Sequence, residues 1–200
     1  MQYDEDTGLT ALHALMDVAP TYDAADSTSA SIAYMVNNKM QIVPMLLELG
    51  ADPNLKDFEG RTPLHHAANH SALVPVLRTL LAESKIPVDL TVQDNHGATP
   101  LFAAVKAGNT EAAAVLLAAN SNVVAVGNHN LTAPLHVATD LENIELVSLL
   151  LENGADVHAR DQDLETPLHH CVRVDNPILC KLLLEHVCIC SSVCIFFFLK

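Results

Sequence analysis

The chain has no tryptophan, and aromatic residues fill only 4% of its 200 positions. A core without large rings must be filled by Leu, Ala and Val, which favours helices packed through small residues. Cations are also scarce. Ten Lys and Arg stand against 24 Asp and Glu, a formal net charge of −14. Such a surface repels phosphate backbones, so no nucleic-acid partner is expected, while a protein partner, a basic one included, stays open. No cysteine precedes Cys171; Cys171, Cys180, Cys188, Cys190 and Cys194 all fall in the last 30 residues. No disulfide framework therefore spans the chain, which suits a reducing, cytoplasmic or nuclear setting. No apolar run reaches the ~18 residues of a membrane-spanning helix. The acidic start "MQYDEDTG" lacks the hydrophobic region of a signal peptide. With seven glycines, no phosphate-binding glycine loop is present.

What the chain does have is a phrase used five times: "GLTALH" at 8–13, "GRTPLH" at 60–65, "GATPLF" at 97–102, "LTAPLH" at 131–136 and "LETPLH" at 164–169. Its markers Ala11, Pro63, Pro100, Pro134 and Pro167 are separated by 52, 37, 34 and 33 residues. A second phrase follows the markers, as in "MLLELGADPN" at 45–54 and "SLLLENGADVH" at 148–158. Pro is tolerated in the first turn of a helix, where its missing N–H would have no partner. The Thr before it is placed to cap that helix, and Leu begins the buried stripe.

This pattern resembles the ankyrin-repeat family, whose period is ~33 residues and whose signature is T-P-L-H-x-A followed by L-L-x-x-G-A-D. The resemblance covers roughly residues 4–187. It implies an all-α solenoid of helix–turn–helix units with β-turn fingers, each unit burying its apolar face only by stacking on its neighbours. It also implies that the His imidazole and Thr hydroxyl bond to neighbouring backbone. Five repeats are expected at 1–56, 57–93, 94–127, 128–160 and 161–187, followed by an irregular hydrophobic tail at 188–200.

Several departures carry expectations of their own. The first interval is 19 residues longer than the period, and the excess sits near "APTYDAADSTSAS" (19–31), expected as an exposed loop. In the second interval, the second helix of repeat 2 is expected to run one turn longer. Pro44 and Pro75 are expected early in their helices. Gly8, Gly60 and Gly97 sit where the finger needs positive φ. Leu131 and Leu164 replace that glycine, so the last two finger tips are expected to be built differently, with each Leu turned toward a neighbouring finger. After "CKLLLEH", "VCICSSVCIFFFLK" replaces the G-A-D phrase. It reads as a truncated terminus, an irregular cap, or a contact through acylated cysteines.

The histidine doublets, His65–His66 and His169–His170, invite a metal or catalytic reading. His66 and His70 have a metal-compatible spacing but no second ligand pair nearby, and adjacent side chains such as His170 and Cys171 diverge on a helix. No catalytic residue, cofactor site or metal site is expected. His65 and His169 belong to the fold-forming phrase; His66 and His170 fall one position later, where such repeats vary.

Counting from each Pro, the family's partner-facing positions fall on Phe58, Glu59, Arg61, Asn69 and His70 in repeat 2. They fall on Asn95, His96 and Lys106 in repeat 3, and on His129, Asn130, Thr132 and Asp140 in repeat 4. In repeat 5 they are Gln162, Asp163, Glu165 and Arg173. Phe58 is the single aromatic anchor candidate, and His70, His96 and His129 are the expected sources of acid-sensitive binding. The leading functional reading is a non-enzymatic protein-binding scaffold. Two others stand beside it: a sequestering inhibitor of a basic partner, resembling the inhibitor-of-NF-κB group, and a fragment whose activity lies outside these residues.

Overall fold

In a computed structural model, the structure describes residues 9–16, 29–123 and 131–190. Those residues form α-helices and one 3-10 turn, with no strand among them. The helices are α1 (Ala11–Met16), α2 (Ser29–Glu48), α3 (Pro63–Ala68), α4 (Val74–Glu83), α5 (Pro100–Lys106) and α6 (Thr110–Ala118) in one compact unit. A second unit holds α7 (Pro134–Asp140), α8 (Ile144–Glu152), α9 (Pro167–Val174) and α10 (Pro177–Cys190).

Within each unit the helices pair and the pairs stack. In the first, α3 lies between α1 and α5, while α4 lies between α2 and α6. In the second, α7 packs on α9, and α8 on α10. The phrase explains the stacking. Leu64, Leu101 and Leu135 are buried, and Ala67, Ala68, Ala104 and Ala138 have no exposed surface. Their small side chains allow helices in adjacent repeats to approach closely.

The phrase histidine ties one repeat to the next. Thr62 N–H donates to His65 Nδ1 (3.1 Å), and His65 Nε2–H donates to the Ala98 carbonyl in the next finger (3.0 Å). His13 repeats this arrangement with Thr10 N–H and the Arg61 carbonyl, and His136 with Ala133 N–H and the Glu165 carbonyl. Because Nδ1 accepts from backbone, each ring is held neutral. Burial pushes His65 down to about 4 and lowers His13 and His136 as well.

The expected cap takes the form of a capping box at Thr62 and Thr166, whose hydroxyls also lie 2.9 and 2.8 Å from His65 and His169 Nδ1. The Thr99 hydroxyl accepts from Phe102 N–H (3.3 Å), and the Thr10 hydroxyl from His13 N–H (3.5 Å).

Asn109 performs a second tie that the phrase does not reveal. Its Oδ1 accepts from Ala112 N–H (3.2 Å) and caps α6, while its Nδ2 donates to the Ala68 carbonyl at the end of α3 (3.0 Å). Asn143 and Asn176 cap α8 and α10 at the same register. Asn109→Ala should cost about 2 kcal/mol, through a lost cap and an orphaned buried carbonyl. Urea denaturation reads this, and a cost below about 0.5 kcal/mol would show that the cap is dispensable.

The structure corrects four expectations. The segment 19–28 lies outside the described residues, but residues 29–31 are already helical in α2. Pro44 lies late within that 20-residue helix, not near its start. One missing N–H does not end it, because Val43 and Leu47 on either side are buried and α2 packs along α4. α4 has ten residues against nine in α6 and α8, so no full turn is added. The extra residues are spread over the preceding 3-10 turn, Ser71–Leu73, and the connection that follows.

The fourth correction concerns the finger tips. Leu131 and Leu164 adopt the same left-handed geometry as the glycines, φ 57° and 61° against 74° at Gly60 and 84° at Gly97, and both side chains are exposed. Around Leu164 the turn is over-determined. Asp161 Oδ1 accepts from Asp163 and Glu165 N–H (2.9 Å each), Leu164 N–H donates to the Asp161 carbonyl, and Asp161 N–H donates to the Glu165 carbonyl. Asp57 builds the same turn around Gly60. Gly8 lies outside the described residues.

Candidate functional site

The second histidine of each doublet is not a free variable position. His66 Nε2–H donates to Asp57 Oδ2 (2.8 Å), and the ring packs edge-on against His13 at 5.6 Å. In the second unit, His170 Nε2 meets Asp161 Oδ2 at 3.1 Å, and the ring packs against His136 at 5.0 Å. Each finger aspartate thus uses one oxygen for its turn and the other for a histidine on the following helix. Burial alone would raise Asp57 and Asp161. The histidine rings and the backbone N–H donors outweigh it and hold both below the ordinary carboxylate value. A signal was present in the sequence: each doublet's second histidine lies nine residues after the finger aspartate. In repeat 3, Asp94 makes the same turn, but Ala103 stands at the histidine register.

Among the described residues, two groups bring three ligand-type atoms together: His13, Asp57 and His66, and Asp161, Glu165 and His170. Their chemistry favours hydrogen-bonded clamps over a dication. Both His13 nitrogens are engaged. A guanidinium shares each carboxylate set, with Arg61 Nε 3.5 Å from Asp57 Oδ2 and Arg173 Nη1 2.8 Å from Glu165 Oε2. Cys171 offers no free thiol to His170. It is disulfide-bonded to Cys180, with Cα atoms 5.6 Å apart, joining α9 to α10 inside one repeat. No bridge between repeats was expected; a bridge within the last one was not.

The first unit contains a cavity of about 480 Å³. His13, Asp57 and His66 lie along it beside Leu9 and Met16, and Phe58, Glu59, Arg61, Asn69 and His70 complete the lining. All five positions predicted for repeat 2 therefore converge on one concavity. Phe58 is 62% exposed there. Glu59 accepts an ion pair from Arg61 at 2.6 Å.

The family model described as ankyrin repeats (3 copies) matches residues 30–127, 73–161 and 124–193. The chain belongs to the ankyrin-repeat family. Among curated relatives, it is 35% identical over 123 residues to rabankyrin-5 of Mus musculus, covering 62% of this chain and 10% of that protein. It is 33% identical over 155 residues to neurogenic locus notch homolog protein 2 of Homo sapiens, covering 78% of this chain and 5% of that one. It is 44% identical over 72 residues to NF-kappa-B inhibitor delta of Mus musculus, covering 36% and 21%. The chain thus spans only a small part of these relatives. Ankyrin repeats are protein-interaction modules, and that coarse function holds here.

The other predicted positions fare unequally within this ankyrin framework. Asn95 is tied to the preceding finger, donating from Nδ2 to the Phe58 carbonyl (2.8 Å) and from its backbone to the Glu59 carbonyl (2.9 Å). His96 and Lys106 are exposed, as are Gln162 and Asp163; Thr132 is half-buried. His129 and Asn130 lie outside the described residues. Asp140, Glu165 and Arg173 come together around His170 in one charged network. No helix among the described residues is long and apolar enough to cross a membrane.

Proposed function

We propose that this ankyrin array is a non-enzymatic scaffold that holds a basic protein partner, with the repeat-2 cavity as the anchoring point. The observation carrying this reading is the convergence of Phe58, Glu59, Arg61, Asn69 and His70 on one concavity within an acidic chain. Phe58 supplies a rigid aromatic edge that a partner can desolvate, and exposed carboxylates such as Glu59 supply the charge complement. Arg61 is preoccupied by Glu59 and Asp57, so it orients the rim and does not offer a free cation.

Sequestration of a basic partner is the second reading. The net charge of −14 and the 44% identity to an NF-kappa-B inhibitor support it. It differs from simple scaffolding in predicting that the partner's own activity falls on binding.

A partner recovered from lysate on the full chain should bind about tenfold more weakly to Phe58→Ala, a loss of about 1.4 kcal/mol. It should also dissociate as salt rises from 50 to 300 mM. Unchanged affinity in both comparisons would remove the cavity from the binding surface.

A further inference from the structure

The network around His170 contains a conflict that a single proton resolves. His170 Nδ1 lies 2.8 Å from Asp140 Oδ1, which only accepts, and 3.0 Å from Arg173 Nη2, which only donates. One ring nitrogen cannot serve both. With Nδ1 unprotonated, its lone pair accepts from Arg173. With Nδ1 protonated, it donates to Asp140, and two N–H groups would then oppose each other unless Arg173 Nη2 withdraws. Nε2 keeps its proton in either state and donates to Asp161 Oδ2.

We infer that His170 is a proton-operated switch on the partner-facing surface of the second unit, handing its Nδ1 bond between Arg173 and Asp140. The consequence for binding rests on the scaffold reading above; the switch itself does not. One proton is taken from solvent, no covalent bond other than N–H changes, and Arg173 retains its Nη1 bond to Glu165 Oε2 at 2.8 Å.

The surroundings restrict the exchange to this site. Asp140 and His136 face the ring from α7, Asp161 and Glu165 from the finger, and Arg173 from α9. His136 is held neutral by its own backbone bonds, so it does not compete for the proton. Asp161, kept ionised by its backbone donors, anchors Nε2 throughout. The ring is itself buried, whereas Asp140 and Arg173 are exposed. A buried proton therefore sets how two surface charges are presented. The first unit has no counterpart, because Asn69 occupies the register of Arg173.

The switch also sets the charge of this face. Three carboxylates and one guanidinium leave it at −2 with a neutral ring and at −1 with an imidazolium. A basic partner is then held more weakly at acid pH, and the freed Nη2 edge of Arg173 becomes available to a carboxylate on that partner.

The test uses the full chain without partner, labelled with 15N in histidine and arginine, and followed by NMR from pH 8 to pH 5. The expected result is Nδ1 of His170 passing from unprotonated to protonated while Nε2 stays protonated. Protection of Arg173 Nη from hydrogen exchange, referred to the exposed Arg160 at each pH, should fall at least fivefold with the same midpoint. In Asp140→Asn the midpoint should fall while the two events stay coupled, and in Arg173→Gln it should rise. An Nδ1 protonated across the whole range, or Arg173 protection independent of the His170 midpoint, overturns the switch. Because no partner is present, failure here leaves the scaffold reading intact. A working switch with partner affinity equal at both pH values counts against binding at this face alone.

Discussion

Moving the protein from pH 7 to pH 5 is expected to lower the stability of the first unit by about 2 kcal/mol through His65 alone. The folded ring holds its proton only below about 4, because burial opposes the charge, whereas the ordinary value is 6.5. The unfolded chain therefore takes up a proton first. His65's contribution is complete above pH ~6.5 and is lost as pH falls toward 4. His13, lowered in the same direction, adds to the loss. Asp57 is lowered too, but its contribution disappears only as pH falls into and below the carboxylate range, outside this window. Urea denaturation at the two pH values measures the effect. His65→Phe is the informative control, since Phe102 occupies that register in repeat 3. It should be less stable at pH 7 yet lose about 2 kcal/mol less than the parent on acidification. An equal loss in both proteins would mean that the phrase histidine is not held neutral by the fold.

Gly60→Ala should destabilise the first unit by about 3 kcal/mol. Gly60 has φ 74°, and a Cβ there would lie 2.5 Å from Asn95 Oδ1 and 2.9 Å from Asn95 N. The left-handed conformation costs an alanine about 1 kcal/mol. Displacing Asn95 would also break its bonds to the Phe58 and Glu59 carbonyls, at about 1 kcal/mol each. Leu164→Gly provides the contrast. Leu164 occupies the same turn at φ 61°, with its side chain 67% exposed, so this change should move stability by less than about 1 kcal/mol. Equal effects at both positions would show that the finger-to-finger approach does not decide where glycine is needed.

That contrast shows what the sequence could and could not convey. The period and the T-P-L-H phrase were sufficient for the helical repeats, because each residue answers a local demand: Pro at a helix start, Leu at the buried stripe, His reaching a neighbouring carbonyl. The expectation for Leu131 and Leu164 failed because substitution at a turn depends on whether a neighbouring finger approaches, and that distance is not written in the turn itself. The roles of His66 and His170 were missed for a related reason. Position along the helix marked them as variable, whereas the partner aspartate lies nine residues earlier, across a turn. Among the predicted partner-facing positions, Phe58, Glu59, Arg61, Asn69 and His70 converge because one finger and one helix end carry them all. Asp140, Glu165 and Arg173 were placed individually as surface residues, and the structure engages them with one another around His170. Of the histidines expected to make binding acid-sensitive, His70 and His96 are exposed and His129 lies outside the described residues; His170, which the sequence did not single out for this, is the imidazole enclosed by charges.

The claim that the repeat-2 cavity anchors a protein partner is tested most directly by site-specific photocrosslinking. A photoreactive phenylalanine analogue at position 58 of the full chain should trap one protein species in lysate, with a yield that falls as salt rises. The same analogue at position 34, where Tyr34 is equally exposed on α2, should not trap that species. Equal capture at both positions, or none at position 58, would contradict the account.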